Sequence, residues 1–328
     1  MKAVIRAESW PIRGGFRIAR GARVKADVLV LELHHRGAVG RSECVPYARY
    51  GESIDSVSQE IERASLGLNL RDGRARVAEM PAGAARNALD CALWDLESAI
   101  TGVPVWMRAG VSAPPRPVAT MRTVSVGSPD EMRAAAKALR SPSVIKVKVD
   151  GTDDLERIAA VHESAPTSKL VVDPNEGWSV EQTLAWLPEL PRLGVAALEQ
   201  PLPADRDEAL ESITDRPVPI CADESFHDRR SFGLATARYD LVNIKLDKTG
   251  GLTEALHCVG EARRLGVGVM IGCMVSTSLA IAPALLLARG ALFVDLDGPL
   301  LLETDRDGAL HDRTTGVLYP SPSVWGGA

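Results

Sequence analysis

From about residue 118 onward, short runs of apolar residues alternate with longer amphipathic stretches. The runs are apolar at almost every position, which is typical of parallel strands buried on both faces. Eight runs predict strands: Val118–Val126, Val144–Val149, Leu170–Asp173, Val195–Glu199, Val218–Ala222, Leu241–Leu246, Val267–Ile271 and Leu292–Leu296. Since an amphipathic stretch separates each run from the next, the pattern favours a (β/α)8-type barrel, an α/β fold.

Helix start and stop signals support this interpretation. Ser179 and Gln182 have the spacing of a capping box, and Gly266 ends a helix that begins near Leu252. An open doubly wound sheet is the alternative for the same elements. No glycine-rich phosphate-binding loop follows any of the strands, so the barrel is favoured.

The first part of the chain has a different pattern. Residues 27–33 alternate as in an antiparallel strand, and Ala84–Ile100 form an amphipathic helix. The proline-rich segment Ala113–Pro117 is a stiff connector, so we predict an α+β domain over 1–117 and a barrel domain over 118–302. The last twenty-five or so residues are too irregular to continue the barrel.

Composition excludes several classes of protein. A net charge of -5 with scattered basic residues argues against nucleic-acid binding. No apolar run reaches the ~18 residues of a membrane span, and the start lacks the apolar stretch of a signal peptide. The five cysteines include no CxxC pair, so we expect buried thiols in a reducing compartment and a cytoplasmic protein.

Lysine is used sparingly, with 8 lysines against 30 arginines. Four of the eight lysines fall in two apolar segments, 144–149 and 242–248. A buried lysine can lose its proton, whereas an arginine cannot. The placement of these lysines in apolar segments therefore suggests that one of them acts as a base.

Ionisable residues mark the ends of the predicted strands. In chain order they are Lys146, Lys148, Asp173, Glu199, Asp223, Lys245, Asp295 and Asp297. The steps from Lys148 to Asp223 are 25, 26 and 24 residues, about one strand, one helix and two loops each, so these groups meet at one mouth of the barrel. A single such carboxylate is usually a helix cap or a surface charge, but three on consecutive strands indicate a site.

The chemistry of this set is specific. Asp173, Glu199 and Asp223 form an oxygen-only site that suits Mg²⁺. Lys148 and Lys245 lie on opposite sides of these strands, and a nearby divalent cation would lower their pKa values, as a general base requires. Two bases on opposite faces are what inversion at a carbon atom needs. We expect Lys146 to donate to the carboxylate of a metal-bound substrate.

At these residues the sequence resembles the enolase superfamily, and specifically its muconate-lactonizing subgroup. The matching segments are Lys146-Val147-Lys148, Val172–Asn175, Leu198–Pro201, Ala222–Ser225 and Lys245. The resemblance covers nearly the whole chain. It implies one Mg²⁺ per subunit, and a capping domain formed by residues 1–117 and completed by the tail at about 303–328.

Within that subgroup, the sequence resembles in particular the dipeptide epimerases of the L-Ala-D/L-Glu type. It implies that Asp295 and Asp297 hold the free ammonium of a dipeptide, that Arg23 meets a glutamate side chain, and that Thr123 lines the substrate site. Two close carboxylates repel unless a cation lies between them, so an external ammonium is the expected partner of the two aspartates. The implied reaction converts L-Ala-L-Glu to L-Ala-D-Glu in peptidoglycan peptide metabolism. A homo-oligomer is the expected assembly.

Other functions use the same scaffold. N-acylamino acid racemisation, o-succinylbenzoate synthesis and muconate cycloisomerisation need the same lysines and metal, but their substrates lack an ammonium and leave Asp295 and Asp297 unexplained. A non-catalytic metal-dependent binding protein is a second class, and it would not need both lysines. The seventh strand end has no histidine, which excludes a His/Asp base pair like that of mandelate racemase.

Overall fold

The computed structural model describes residues 1–140 and 142–327. Its strands are β1 (Lys2–Ile18), β2 (Gly21–His35), β3 (Ala38–Cys44), β4 (Val118–Ala119), β5 (Arg122–Val124), β6 (Val144–Lys148), β7 (Lys169–Asp173), β8 (Val195–Glu199), β9 (Ile220–Ala222), β10 (Leu241–Lys245), β11 (Gly268–Gly272), β12 (Phe293–Asp295) and β13 (Val317–Leu318). Its α-helices are α1 (Ile54–Ser65), α2 (Gly73–Ala78), α3 (Ala84–Thr101), α4 (Val105–Arg108), α5 (Pro129–Ala138), α6 (Asp154–Ser164), α7 (Val180–Trp186), α8 (Phe232–Arg238), α9 (Leu246–Thr249), α10 (Leu252–Leu265), α11 (Ser278–Ala284) and α12 (Gly298–Leu301). None of the helices in these two ranges is both long and apolar enough to cross a membrane.

Strands β5 to β12 form one sheet in sequence order, and every neighbouring pair is parallel. The segment before β5 nearly closes the sheet on β12, because the Met121 amide donates to the Val294 carbonyl at 2.8 Å. The Leu296 amide donates to the Thr120 hydroxyl at 2.7 Å on the same seam. The predicted (β/α)8-type barrel is therefore confirmed.

One predicted strand is wrong in its extent. The run Val118–Val126 contains two strands, because β4 leaves the barrel and pairs antiparallel with β13 of the C-terminal tail. Only β5 belongs to the barrel sheet. Thr120 lies between the two strands and uses its hydroxyl in the barrel seam.

The first part of the chain is an antiparallel sheet of β1, β2 and β3, covered by α3. Leu31 and Leu33 of β2 pack against Leu89 and Leu93 of α3 in a core separate from that of the barrel. The helix approaches β3 so closely that a Cβ atom on Gly40 would lie 2.2 Å from a backbone oxygen of the helix. Only glycine fits there.

The barrel interior is built in layers, since side chains on one face of a strand repeat every second residue. The floor is an apolar cluster of Met121, Val171, Ala197, Cys221, Leu241 and Met270. Two residues further along their strands come Thr123, Asp173, Glu199, Asp223, Asn243 and Gly272. The polar layer thus stands directly above the floor, toward the carboxyl ends of the strands.

The tail runs back over the first part of the chain. The Glu303 amide donates to the Pro11 carbonyl at 2.9 Å, and the Trp325 indole donates to the Cys91 carbonyl at 3.2 Å. The division into domains at residue 117 stays a prediction.

Candidate active site

A cavity of about 420 Å³ opens at the carboxyl ends of the barrel strands. Barrel side chains on its wall include Thr123, Lys146, Lys148, Asp223, Lys245, Asp295 and Asp297, and the first part of the chain contributes Phe16, Arg20, Arg23, Tyr47 and Tyr50. The structure therefore brings eight of the ten site residues predicted from the sequence to one cavity. The other two, Asp173 and Glu199, are fully buried beside it.

The lysines of β6 lie among the carboxylates. The Lys146 Nζ is 2.7 Å from Glu199 Oε2 and 3.1 Å from Asp173 Oδ2. Lys148 is hydrogen-bonded to Asp173 Oδ2 at 2.5 Å and to Asn175 Oδ1 at 3.1 Å. Both ammonium groups thus come from one face of β6, two residues apart, as the strand period requires.

Lys245 lies across the site, at the end of β10. Its Nζ donates to Asp223 Oδ2 at 2.7 Å. Three strands, β7 to β9, separate it from Lys148 in the sheet, and these strands carry the three carboxylates. The two predicted bases therefore flank the carboxylate set from opposite sides, each paired with a different member.

Burial and neighbouring charges set the protonation of the group. Burial and the charge of Asp173 raise the pKa of Glu199 to about 7. Burial raises the pKa of Asp223, but the positive charges of Lys245 and Lys248 lower it more. The pKa of Asp223 therefore lies well below its usual value. For Lys245, burial lowers the pKa while the charge of Asp223 raises it, and the result is well above the usual value. The lowered pKa expected for Lys245 is not produced by the protein's own charges, and an added divalent cation would be needed to lower it.

The oxygen ligands of Asp173, Glu199 and Asp223 suit a hard cation, although these side chains do not form a complete metal-binding site. Among residues 1–140 and 142–327, no three Asp, Glu, His or Cys side chains are arranged to hold an ion. Ammonium groups lie between the carboxylates instead, and a metal ion would require those of Lys146 and Lys148 to turn away from Asp173. Glu199 Oε2 is buried without a hydrogen bond, since its 2.7 Å contact with Lys146 is an ion pair of poor hydrogen-bond geometry. Buried carboxylate oxygens of this kind are the ligands that Mg²⁺ prefers.

Asp295 and Asp297 lie together on the opposite wall. Asp295 Oδ2 accepts a hydrogen bond from Lys146 of β6 at 2.7 Å, so one of the two aspartates already has a cation from the chain itself. That the pair also binds the ammonium of a substrate stays a prediction. Asp295 Oδ1 has no partner within the described chain, and Asp297 Oδ2 accepts from the Thr123 amide at 2.7 Å. Burial, then the charge of Asp295, raises the pKa of Asp297 to about 6.

Two arginines of the β1–β2 hairpin reach the cavity and differ in their contacts. Arg20 donates to the Asn175 carbonyl at 2.8 Å and forms ion pairs with Glu176 and Glu224 at 2.9 and 2.6 Å. The Arg23 guanidinium lies over the ring of Tyr47, 4.8 Å from its centroid. Arg20 thus ties the hairpin to the barrel, while Arg23 lines the space where a substrate would lie.

Two residues outside the predicted site, Lys248 and Asn243, hold the carboxylates in place. The Lys248 Nζ, on α9, lies 2.6 Å from Asp223 Oδ1 and 3.0 Å from the Asn243 carbonyl. The Asn243 side chain donates to Glu199 Oε1 at 2.8 Å. Asn243 could have been found from its position two residues before Lys245, on the same strand face.

A buried network fixes the loop after β11 that forms part of the cavity wall. Glu43, fully buried on β3, accepts from the Thr277 amide at 2.8 Å and forms an ion pair with Arg306 of the tail at 2.7 Å. Arg306 also pairs with Glu8 of β1 at 2.6 Å. No periodic pattern in the sequence indicates this network, because its members come from four distant segments.

Comparison with known families covers both parts of the chain. Residues 1–110 match the N-terminal domain of mandelate racemase and muconate lactonizing enzyme. Residues 131–312 match the family described as enolase C-terminal domain-like.

Individual relatives and solved structures agree with these matches. The chain is 46% identical over 315 residues to the L-Ala-D/L-Glu epimerase of Escherichia coli K12, covering 95% of this chain and 97% of the relative. It is 41% identical over 310 residues to an N-acetyl-D-glutamate racemase of a Pseudoalteromonas species, covering 92% and 96%.

Among solved structures, the chain superposes on an enolase family member from Agrobacterium tumefaciens with a TM-score of 0.94, at 43% identity over 99% of both chains. That protein has homology to dipeptide epimerases, and its structure contains bound sodium and L-Ala-L-Glu. A dipeptide epimerase from Enterococcus faecalis, complexed with Mg and L-Leu-L-Tyr, has a TM-score of 0.90 at 27% identity over 98% of this chain and 96% of that one. The chain therefore belongs to the mandelate racemase/muconate lactonizing enzyme family of the enolase superfamily, and it is an isomerase.

Proposed function

We propose that the protein epimerises dipeptides by moving a proton at the α-carbon of the C-terminal residue, and that it interconverts L-Ala-L-Glu and L-Ala-D-Glu. The observation that carries the proposal is the placement of Lys148 and Lys245 on the wall of one cavity, from strands on opposite sides of the carboxylates. A proton taken on one face by one lysine and returned on the other face by the second inverts the carbon. A binding protein has no use for this arrangement.

Each lysine is oriented by the carboxylate that it contacts. Asp173 and Asn175 hold Lys148, while Asp223 holds Lys245. These contacts limit the motion of each side chain. The lysine that starts neutral acts as the base, and the other acts as the acid.

Asp173, Glu199 and Asp223 would hold one Mg²⁺. When bound, the ion would hold the substrate carboxylate and stabilise the negative charge that develops beside the α-carbon. The oxygen-only donor set and the Mg bound to the E. faecalis enzyme support this assignment. Lys146 would then turn from Asp173 toward the substrate carboxylate and add a compact positive charge there.

The two aspartates of the opposite wall would receive the ammonium of the dipeptide. Asp295 offers an unpaired oxygen, and Asp297 is held in place by the Thr123 amide. Arg23 would meet the acidic side chain of the inverted residue. The L-Ala-L-Glu bound to the A. tumefaciens neighbour supports a dipeptide of this kind.

A second candidate is racemisation of an N-acylated glutamate, whose amino group carries no charge. It is favoured by the 41% identity to the N-acetyl-D-glutamate racemase and by the contact of Lys146 with Asp295, which already gives this aspartate a cation. A cytoplasmic location, the absence of nucleic-acid and membrane partners, and a homo-oligomeric state stay predictions from the sequence.

Incubation of L-Ala-L-Glu in D₂O with the protein and Mg²⁺ tests the proposal. The expected product is L-Ala-D-Glu with one deuterium at the glutamate α-carbon, seen by mass and by chromatography of the two diastereomers. Excess EDTA should stop the conversion, and added Mg²⁺ should restore it. Undeuterated product or full activity in EDTA would contradict the mechanism.

A further inference from the structure

Gln200 follows Glu199 directly and is fully buried. Its side-chain oxygen accepts hydrogen bonds from the backbone amides of Asp223 at 2.9 Å and Ser225 at 3.1 Å. Its side-chain nitrogen donates to the Leu202 carbonyl at 2.9 Å. One amide side chain therefore joins the end of β8 to the end of β9, where two of the proposed metal ligands lie.

A further layer of hydrogen bonds holds this amide in place. The Gln200 nitrogen also lies 2.8 Å from the Ser225 hydroxyl and 2.9 Å from the Tyr239 hydroxyl, so its two hydrogens are shared among three acceptors. Both hydroxyls donate in turn to Asp207, a buried carboxylate that pairs with Arg238. Because every polar atom of the amide has a partner, its orientation is fixed.

The backbone at Gln200 adds a second, independent observation. Its φ of 36° lies in the left-handed region, which a residue other than glycine enters at a cost that the surroundings must balance. The turn lets the backbone amide of Gln200 donate to the Cys221 carbonyl at 2.9 Å. The backbone carbonyl of Gln200 accepts from the backbone amide of Glu176, also at 2.9 Å. The strained turn thus connects the ends of β7, β8 and β9, which carry the three carboxylates.

We propose that Gln200 is a positioning residue that sets the distance and angle between Glu199 and Asp223, with Tyr239 as the residue that holds its amide. It touches neither the cavity nor the reacting atoms, so it acts through the carboxylates. The inference rests on the proposed function, because it assumes that these carboxylates hold Mg²⁺. Residues that orient metal ligands typically change metal affinity by about 10–100-fold when replaced.

The test compares the dissociation constants for Mg²⁺ alone, measured by calorimetric titration of the full chain. Gln200→Met keeps the length of the side chain and removes the amide, and we expect it to weaken Mg²⁺ binding about 10–100-fold. Gln59→Met makes the same change at an exposed position of α1 and should leave the constant unchanged. Thermal unfolding without Mg²⁺ establishes that each variant is folded.

A milder variant keeps the test decisive if Gln200→Met does not fold. Tyr239→Phe removes only the hydroxyl that accepts from Gln200, and we expect Mg²⁺ binding to weaken roughly two- to ten-fold. Tyr319→Phe, at a half-exposed position, is its control. Unchanged Mg²⁺ affinity in the folded variants, beside a wild type that binds Mg²⁺, would overturn the role of Gln200 and leave the proposed function intact. A wild type that binds no Mg²⁺ would overturn both.

Discussion

Replacement of Lys245 by methionine separates the two halves of the proposed reaction. The side chain keeps its approximate length and loses the ammonium that donates to Asp223. Lys148 lies beyond the three intervening strands β7 to β9, and its contacts with Asp173 and Asn175 are untouched. The variant should therefore lose the proton transfer on one face of the substrate and keep that on the other.

The size of the effect follows from the contacts. Loss of a positioned acid–base group lowers the rate by about 10²–10⁴-fold. Breaking a buried ion pair costs about 3–5 kcal/mol when it leaves a charge without a partner. Asp223 keeps Lys248 at 2.6 Å, so the loss of stability should fall below that range and the variant should fold.

The assay follows exchange and epimerisation separately. L-Ala-L-Glu and L-Ala-D-Glu are incubated singly in D₂O with Mg²⁺, and deuterium at the glutamate α-carbon is read by proton NMR. We expect one isomer to exchange its proton without conversion, while the other exchanges at least about 10²-fold more slowly than with wild type. Lys148→Met should show the opposite preference.

Lys137→Met, at an exposed position of α5, is the matched control and should behave as wild type. A Lys245→Met protein that interconverts both isomers near the wild-type rate would refute the two-base mechanism. So would identical isomer preferences in the Lys245 and Lys148 variants.

Three further predictions concern the metal, the pH and the tail. Asp223→Asn removes one ligand charge, so Mg²⁺ binding should weaken by at least about 10-fold in a calorimetric titration, and unaltered binding would exclude Asp223 as a ligand. Asp297 has a pKa raised from 3.8 to about 6, so it takes up a proton as the pH falls through 6. KM for L-Ala-L-Glu should then rise, and a KM that stays constant from pH 8 to 5 would contradict the role of Asp297. Arg306→Met leaves Glu43 buried without its cation, so urea unfolding should show a loss of about 3 kcal/mol, whereas the exposed Arg264→Met should lose almost nothing.

The layered barrel is the part of the structure that the sequence predicted best. Continuous apolar runs and a repeat of about 25 residues placed the strand ends correctly, because side chains two residues apart share a face and parallel strands end at one mouth. That rule alone predicts that Lys146, Lys148, Asp223 and Lys245 lie close together, and the structure has all four on the wall of one cavity.

Contacts between distant segments escaped the same reasoning. Nothing in the spacing of Lys146 and Asp295 indicates that their side chains meet at 2.7 Å where the barrel closes. The split of the first strand depends on a partner in the tail, since β4 pairs with β13. Gln200 is one polar residue beside a carboxylate, and only the three-dimensional structure shows that its amide reaches β9.

The charge of the substrate's amino end tests the central claim most directly. The measurement compares kcat/KM for L-Ala-L-Glu with the values for its N-acetylated form and for N-acetyl-D-glutamate, under the same Mg²⁺ concentration. If Asp295 and Asp297 bind an ammonium, acetylation removes that charged partner from two buried carboxylates, a cost of at least about 2 kcal/mol or roughly 30-fold. We predict that the free dipeptide is preferred by this factor or more. Equal or faster turnover of the acetylated substrates would contradict the dipeptide assignment and identify an N-acylamino acid racemase with the same lysines.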